Sequence, residues 1–254
     1  MPASPFTAKT LSFLRALKRN NDREWFRARK EQYEQHVRGP MVALLERLAG
    51  DLRTFAPELA CDPKASLYRI YRDTRFSEDK SPLKTHVSAR FPMRGMAKGE
   101  GGGLYVEVAP SGVWMGGGLY MPSAAQLQSI RAQIASTHPR LHRLVTAPAF
   151  RTTVGSLEGE RLSRMPRGYR SDHPAAPYLQ FKQFLAGREF DAKFATTRAF
   201  YRELLATFRA VAPVVRFLNA GLATTPAPDL PAAAVSPPDR TQTGSHPPVR
   251  VPMW

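Results

Sequence analysis

The sequence predicts an α+β fold, with helices packed around a small antiparallel sheet in a single domain. Three observations point there. Apolar residues step at helical spacing from the N-terminus to Pro57, they alternate between Leu67 and Met115, and they return to helical spacing after Pro122. Periods of 3.6 and 2 residues distinguish helix from strand, and runs of one kind flanking runs of the other suit an α+β layer arrangement.

Leu11, Leu14 and Leu17 form the inward stripe of a first helix ending at Asn20-Asn21. Asn21 with Glu24 three residues on has the form of a capping box, so a second helix follows with Phe26, Arg29, Tyr33 and Val37 on one face. Gly39-Pro40 reads as a break, after which Met41, Leu44, Leu45, Leu48, Leu52 and Phe55 give a third stripe that Pro57 stops. The alternating segments Leu67–Arg72, Lys84–Phe91 and Leu104–Val108 predict three strands. Ala109-Pro110-Ser111-Gly112 suits a type I turn that returns the chain as a fourth strand at Val113–Met115. Pro122-Ser123 opens another helix with Leu127, Ile130 and Ile134 inward, followed by a shorter helical stretch at Leu141–Val145. Gly155–Tyr169 is expected to be irregular, and Leu179–Phe190 fits helix or strand equally well. Phe200, Leu204, Leu205, Phe208, Val211 and Val215 mark a last helix broken near Pro213.

The domain is expected to span 1–221. Residues 222–254, rich in Pro, Ala and Thr with little apolar periodicity, are expected to form a disordered tail. A hydrophobic fraction of 43% over 254 residues suffices for a proper core and excludes disorder throughout. The formal charge is +16, and it is uneven: Lys64 to Lys98 holds nine bases against three acids, while the stretch after Leu222 is neutral. A field of that sign attracts nucleic acid or phosphorylated ligands, although an arginine-rich soluble surface explains it as well. The single cysteine, Cys61, forbids an intramolecular disulfide and a cysteine-rich zinc site. With no signal-like N-terminus and no run approaching the ~18 apolar residues that span a membrane, the expectation is a cytoplasmic protein without membrane insertion.

The densest chemistry lies in Arg69 to His86, R-I-Y-R-D-T-R-F-S-E-D-K-S-P-L-K-T-H. Guanidinium groups there can fork hydrogen bonds to phosphate or carboxylate oxygens, and the interleaved acids can hold them in place. Along a strand from Lys84 to Phe91, Lys84, His86, Ser88 and Arg90 share one face, and Glu107 on the neighbouring strand can stand beside His86 or Arg90. The ligand-binding candidates are Arg69, Arg72, Arg75, Lys80, Lys84, Arg90 and Glu107. Arg69 and Arg72 are an odd distance apart, so both serve one site only if the chain has turned by Arg72. The structural alternative pairs Asp73, Glu78 and Asp79 with Arg69, Arg72, Arg75 and Lys80 to pin the turn. The catalytic candidates are His86, Asp73, Asp79 and His173, the last within Asp172-His173-Pro174, which equally suits a helix start. His86 and His173, with the scattered acids, show no H-x-x-x-H or comparable ligand spacing, so no metal site is expected. The glycines at 101–103 and 116–118 match no phosphate-binding loop and suit close strand packing.

N-D-R-E-W-F at Asn21 to Phe26, the central motif, G-G-G-L-Y-M-P at Gly116 to Pro122 and P-R-G-Y-R-S-D-H-P at Pro166 to Pro174 together resemble the domain of unknown function 2461 family, over about Phe6 to Leu222. Leu83 stands where that pattern often has an aromatic residue. The family has no established activity. The resemblance implies that the central motif and Asp172-His173-Pro174 are family marks, and so raises the expectation that they meet in space.

Three readings follow from the residues. The first is recognition of an anionic ligand, phosphate-bearing or nucleic acid, on a polar sheet face lined by Arg72, Arg75, Lys80, Lys84, His86 and Glu107. The second is hydrolysis or phosphoryl transfer with His86 as general acid or base and Asp73 or Asp79 in a metal-holding or base role. A scaffold that meets acidic proteins through its basic surface is a third reading. The sequence specifies neither a cofactor nor an oligomeric state.

Overall fold

The computed structural model describes residues 4–75, 77–96 and 100–223. The expected tail lies outside the described residues beyond Ala223.

Helix α1, Ala8–Arg19, buries Leu11, Phe13, Leu14 and Leu17. Helix α2, Arg23–Arg27, is capped by Asp22, whose carboxylate accepts from the Glu24 and Trp25 amides at 2.8 and 2.9 Å. The cap is thus one residue later than the Asn21–Glu24 spacing suggests. Asn21 is engaged elsewhere: its Nδ2 donates to the Leu83 carbonyl at 2.8 Å and its Oδ1 accepts from the Leu83 amide at 3.0 Å.

Helix α3, Lys30–Tyr33, runs through a π-turn at Glu34–Arg38 directly into α4, Gly39–Phe55. Gly39-Pro40 therefore does not break the chain. Pro40 sits in the first turn of α4, where a missing N–H costs least. Helix α5, Pro63–Ser66, is capped by Asp62.

The sheet has four strands in order β1 (Val87–Pro92), β2 (Gly103–Ala109), β3 (Gly112–Leu119) and β4 (Phe184–Phe190), every pair antiparallel. Pro110-Ser111 makes the expected two-residue turn between β2 and β3. Two expectations are corrected. Leu67–Arg72 forms only isolated bridges, Leu67 to Ala89 and Tyr71 to Leu83, because the same segment must also bond the loop at Pro82 and Lys84. The first strand begins at Val87 rather than Lys84, the chain bending through Thr85 and His86. The fourth strand position is taken by Phe184–Phe190, which resolves the helix-or-strand ambiguity: α8, Ala176–Leu179, ends before it.

Helix α6, Ala124–Thr146, starts at Ser123, whose hydroxyl and the Gln126 side chain form a reciprocal capping box. It kinks at Thr137, two residues before Pro139, so the expected shorter stretch is its second half. Helix α7, Pro148–Thr153, follows; a 3₁₀ turn at Ala192–Thr196 then leads to α9, Phe200–Ala223. Contrary to expectation α9 continues through Pro213. By length and composition alone α9 is apolar enough to cross a membrane, and 61% of its most apolar window is buried inside the fold.

Alternation divides the sheet. Val87, Ala89, Phe91, Leu104, Val106, Val108, Val113 and Met115 belong to the main core with the long helices, while Tyr105, Trp114 and Leu185 form a separate buried cluster on the other face with Tyr68 and Tyr120 against it. That second face carries the polar residues.

Candidate functional site

The register lines up the second face in rows. Ser88 pairs with Glu107, Glu107 with Trp114, and Trp114 with Glu189; in the next row Arg90 pairs with Tyr105, Tyr105 with Gly116, and Gly116 with Gly187. Gly116 and Gly187 leave room for the Trp114 indole, and at Gly116 the β4 backbone at Ala186 and Gly187 is closer still. A Cβ on Gly116 would stand 2.7 Å from Trp114 Cη2, and one on Gly187 would meet Cζ2 of the same ring.

Glu107 is the centre of the constellation. Its side chain is buried, the whole residue being 3% exposed, and Oε2 accepts from the Tyr105 hydroxyl at 2.7 Å while His86 Nε2 stands 3.8 Å away. A buried carboxylate requires such donors, since desolvation otherwise favours its neutral form. Burial, then the negative neighbour Glu107, pushes the Tyr105 phenol well above its ordinary pKa, so it remains a proton donor.

Lys84 is only 5% exposed, with Nζ lying 4.6 Å over the Tyr68 ring. Asn21 fixes the backbone of the preceding residue, Leu83, and the Lys84 amide donates to the Ile70 carbonyl at 2.7 Å. Arg90 donates to the Gly101 carbonyl at 2.7 Å and also reaches the Tyr68 phenol, whose pKa burial nonetheless raises. Ser88, 2% exposed, keeps a hydroxyl with no well-formed hydrogen bond, although it lies close enough to Tyr105 to lower that phenol's pKa slightly against the stronger effects.

Of the residues singled out in the sequence, Lys84, His86, Arg90 and Glu107 share this face. Arg72, Arg75 and Lys80 are engaged within the turn between Tyr71 and Leu83. Arg72 donates to Asp79 at 2.5 Å and to the Ser77 hydroxyl and Ser81 carbonyl at 3.3 Å. Arg75 forks onto Asp73 at 3.0 and 2.7 Å, and Lys80 donates to the Thr74 carbonyl at 3.1 Å. Arg75 holds the Asp73 carboxyl at about 2, with a small contribution from Arg69. The Ser81 hydroxyl and amide, and then Arg72, hold Asp79 lower still. These contacts tie Arg72, Arg75 and Lys80 to neighbours within the turn.

His173 has other neighbours. Its Nδ1 accepts from the Ala175 amide at 3.0 Å, its ring stands edge-on to His138, and Asp172 pairs with Arg170 in the open. None of the hydrogen bonds or ring contacts described for Asp172 or His173 reaches a residue between Arg72 and His86. Among the described residues, no three His, Cys, Asp or Glu side chains gather as a group able to hold a metal ion.

Tyr68, Tyr105 and Trp114 were not legible as site residues. Only the alternation within β2 that sets Tyr105 beside Glu107 on one face carried a signal.

No curated protein matches the chain in sequence. The family model described as a conserved hypothetical protein, DUF2461, matches residues 9–217, which takes in every strand, the central motif and all but the end of α9. The chain belongs to the DUF2461 family.

Proposed function

We propose that the protein binds an anionic, phosphate-bearing ligand on the second face of its sheet, with Lys84 and Arg90 supplying positive charge and His86 a further donor. The observation that carries this reading is the buried Lys84 ammonium held on the same face as Arg90. Burying an ammonium is costly, and a fold that needed only packing there would do as well with an apolar residue. Glu107 and the tyrosines hold the donors in place before a ligand arrives, which lowers the ordering cost of binding. Arg72 and Arg75 are already engaged with Asp79 and Asp73, which favours the residues on the sheet for the binding role.

A titration calorimetry series with glycerol phosphate tests the reading. The parent protein binds, and Lys84→Gln and Arg90→Gln each weaken binding by about 1.5 to 3 kcal/mol, the range for hydrogen bonds to charged groups. Absence of binding by a folded parent protein refutes it.

The second reading, an enzyme, is favoured by one observation: His86 Nε2 is 3.8 Å from the buried carboxylate of Glu107. A carboxylate beside an imidazole stabilises the imidazolium formed when that ring takes a proton. The carboxylate in this reading is Glu107, since Asp73 and Asp79 are engaged with Arg75 and Arg72. Turnover of phosphate esters by the parent protein, lost in His86→Ala, is the outcome that would establish it.

A further inference from the structure

Away from the sheet face, the seam between α4 and α9 carries a row of arginines. Contacts run in step along the two helices. Arg47 stacks 3.5 Å over the Tyr201 ring, whose hydroxyl donates to Asp51. Arg209 lies 4.9 Å over the Phe55 ring, and Arg216 donates to Glu58 at 2.5 Å and to the Phe55 carbonyl. Arg53 and Arg94 donate through Nε to the Ala49 and Pro57 carbonyls at 3.2 and 3.0 Å. Burial pushes the Cys61 thiol up to about 11 while Arg53 and Arg94 both oppose it, so the two guanidiniums flank one thiol, which in turn acts on Tyr201.

Arg47, Arg53, Arg94 and Arg209 are exposed, and among the described residues none of them pairs with a carboxylate. Asp51 and Glu58, the acids in these contacts, already accept from Tyr201 and Arg216. Other exposed cations, such as Arg38, Arg170 and Lys182, do have carboxylate partners. A guanidinium stacked on a ring is held in place while its N–H donors radiate in its own plane, open to a forked bond with phosphate. Neither α4 nor α9 contains a lysine, so every cation on the two helices has that planar fork.

Arginine also recurs on α9 at 202, 209 and 216. Seven helical residues rise about 10.5 Å, close to three successive phosphates of one duplex strand at about 3.4 Å each along the axis. A row set on two rigid helices matches a stiff polyanion of regular charge spacing better than one compact anion or an acidic peptide of irregular charge. We infer that the α4–α9 seam binds the phosphodiester backbone of duplex nucleic acid, without reading its bases, through Arg47, Arg53, Arg94 and Arg209. The seam shares no residue with the sheet-face site, and the two bind independently.

Fluorescence anisotropy with a labelled DNA duplex of random sequence tests the inference, on the parent protein, on Arg47→Gln combined with Arg209→Gln, and on Arg53→Gln combined with Arg94→Gln. Thermal melts and glycerol phosphate titrations accompany each protein. The parent is expected to lose about 150-fold in duplex affinity between about 50 and 200 mM salt, the response of four phosphate contacts at a log–log slope of about −0.9 each. Each doubly substituted protein is expected to bind more weakly and to lose only about tenfold over the same range, with glycerol phosphate affinity unchanged. Arg53 and Arg94 stack on no ring in these contacts, so the second pair decides if the first melts lower than the parent. No binding of the duplex by the parent, or a salt response in the second pair equal to the parent's, overturns the inference. Polyglutamate competing as well as unlabelled duplex of equal charge also overturns it, because the seam would then select no phosphate. Glycerol phosphate binding by the parent decides the sheet-face reading separately.

Discussion

Arg72 and Arg75, three residues apart in the same motif, bind their carboxylates in different surroundings. The Arg72 side chain is 7% exposed against Asp79 at 22%, whereas Arg75 is 69% exposed. Arg72→Gln is therefore expected to destabilise the protein by about 2 to 3 kcal/mol in denaturant melts, less than for a fully buried pair because Asp79 retains some water. Arg75→Gln should leave the melt unchanged. Asp79 also sets an acid dependence. Its folded carboxyl is held below the ordinary range, so the folded state binds fewer protons than the unfolded one. The associated stability is complete above the unfolded value of about 4 and declines as pH falls below it. Melts between pH 5 and 2, a range chosen to bracket about 4, should show that decline, less steeply in Arg72→Gln and not abolished, since the Ser81 contacts remain.

At the scale of elements, the Trp114 indole ties β3 to β4 by lying over Gly116 and Gly187. Gly187→Ala is expected to cost about 1 to 3 kcal/mol by forcing the ring aside, read from a shift in denaturant midpoint. Such a contact shows why part of the fold was readable in the sequence and part was not. The stripes Leu11-Leu14-Leu17 and Met41-Leu44-Leu45-Leu48-Leu52 lie on buried faces because helical period is local information. Pro40 and Pro213 were read as breaks because propensity is local too, while packing decided: Pro40 falls in a first turn, and α9 is carried through Pro213 by its burial against the sheet. The strand Phe184–Phe190 was ambiguous for the same reason, since pairing with β3 lies outside its own sequence. The site divides likewise. Arg90 and Glu107 share their face by alternation, whereas Lys84 and His86 precede β1 and Tyr68 joins them only because its amide bonds the Ser88 carbonyl at 3.0 Å from another part of the chain.

At the scale of the whole molecule, a formal charge of +16 draws anions of every size, so affinity alone does not identify the ligand. Salt dependence does. Contact with about six to ten backbone phosphates would lose about 10³ to 10⁵ in affinity between about 50 and 200 mM salt, and a single terminal phosphate should lose about tenfold or less. Titrations of glycerol phosphate across that range should show the shallow slope; a steep one would place the ligand on the exposed basic surface instead. The site is also a product of distant parts of the chain. The two hydrogen bonds between Asn21 and Leu83 join residues 62 apart in sequence, immediately before Lys84. Closing a loop of that size costs entropy before its contacts form, so helix content is expected to accumulate in the refolding chain before the Asn21–Leu83 bonds do. The placement of Lys84 is thereby tied to the docking of the N-terminal helices.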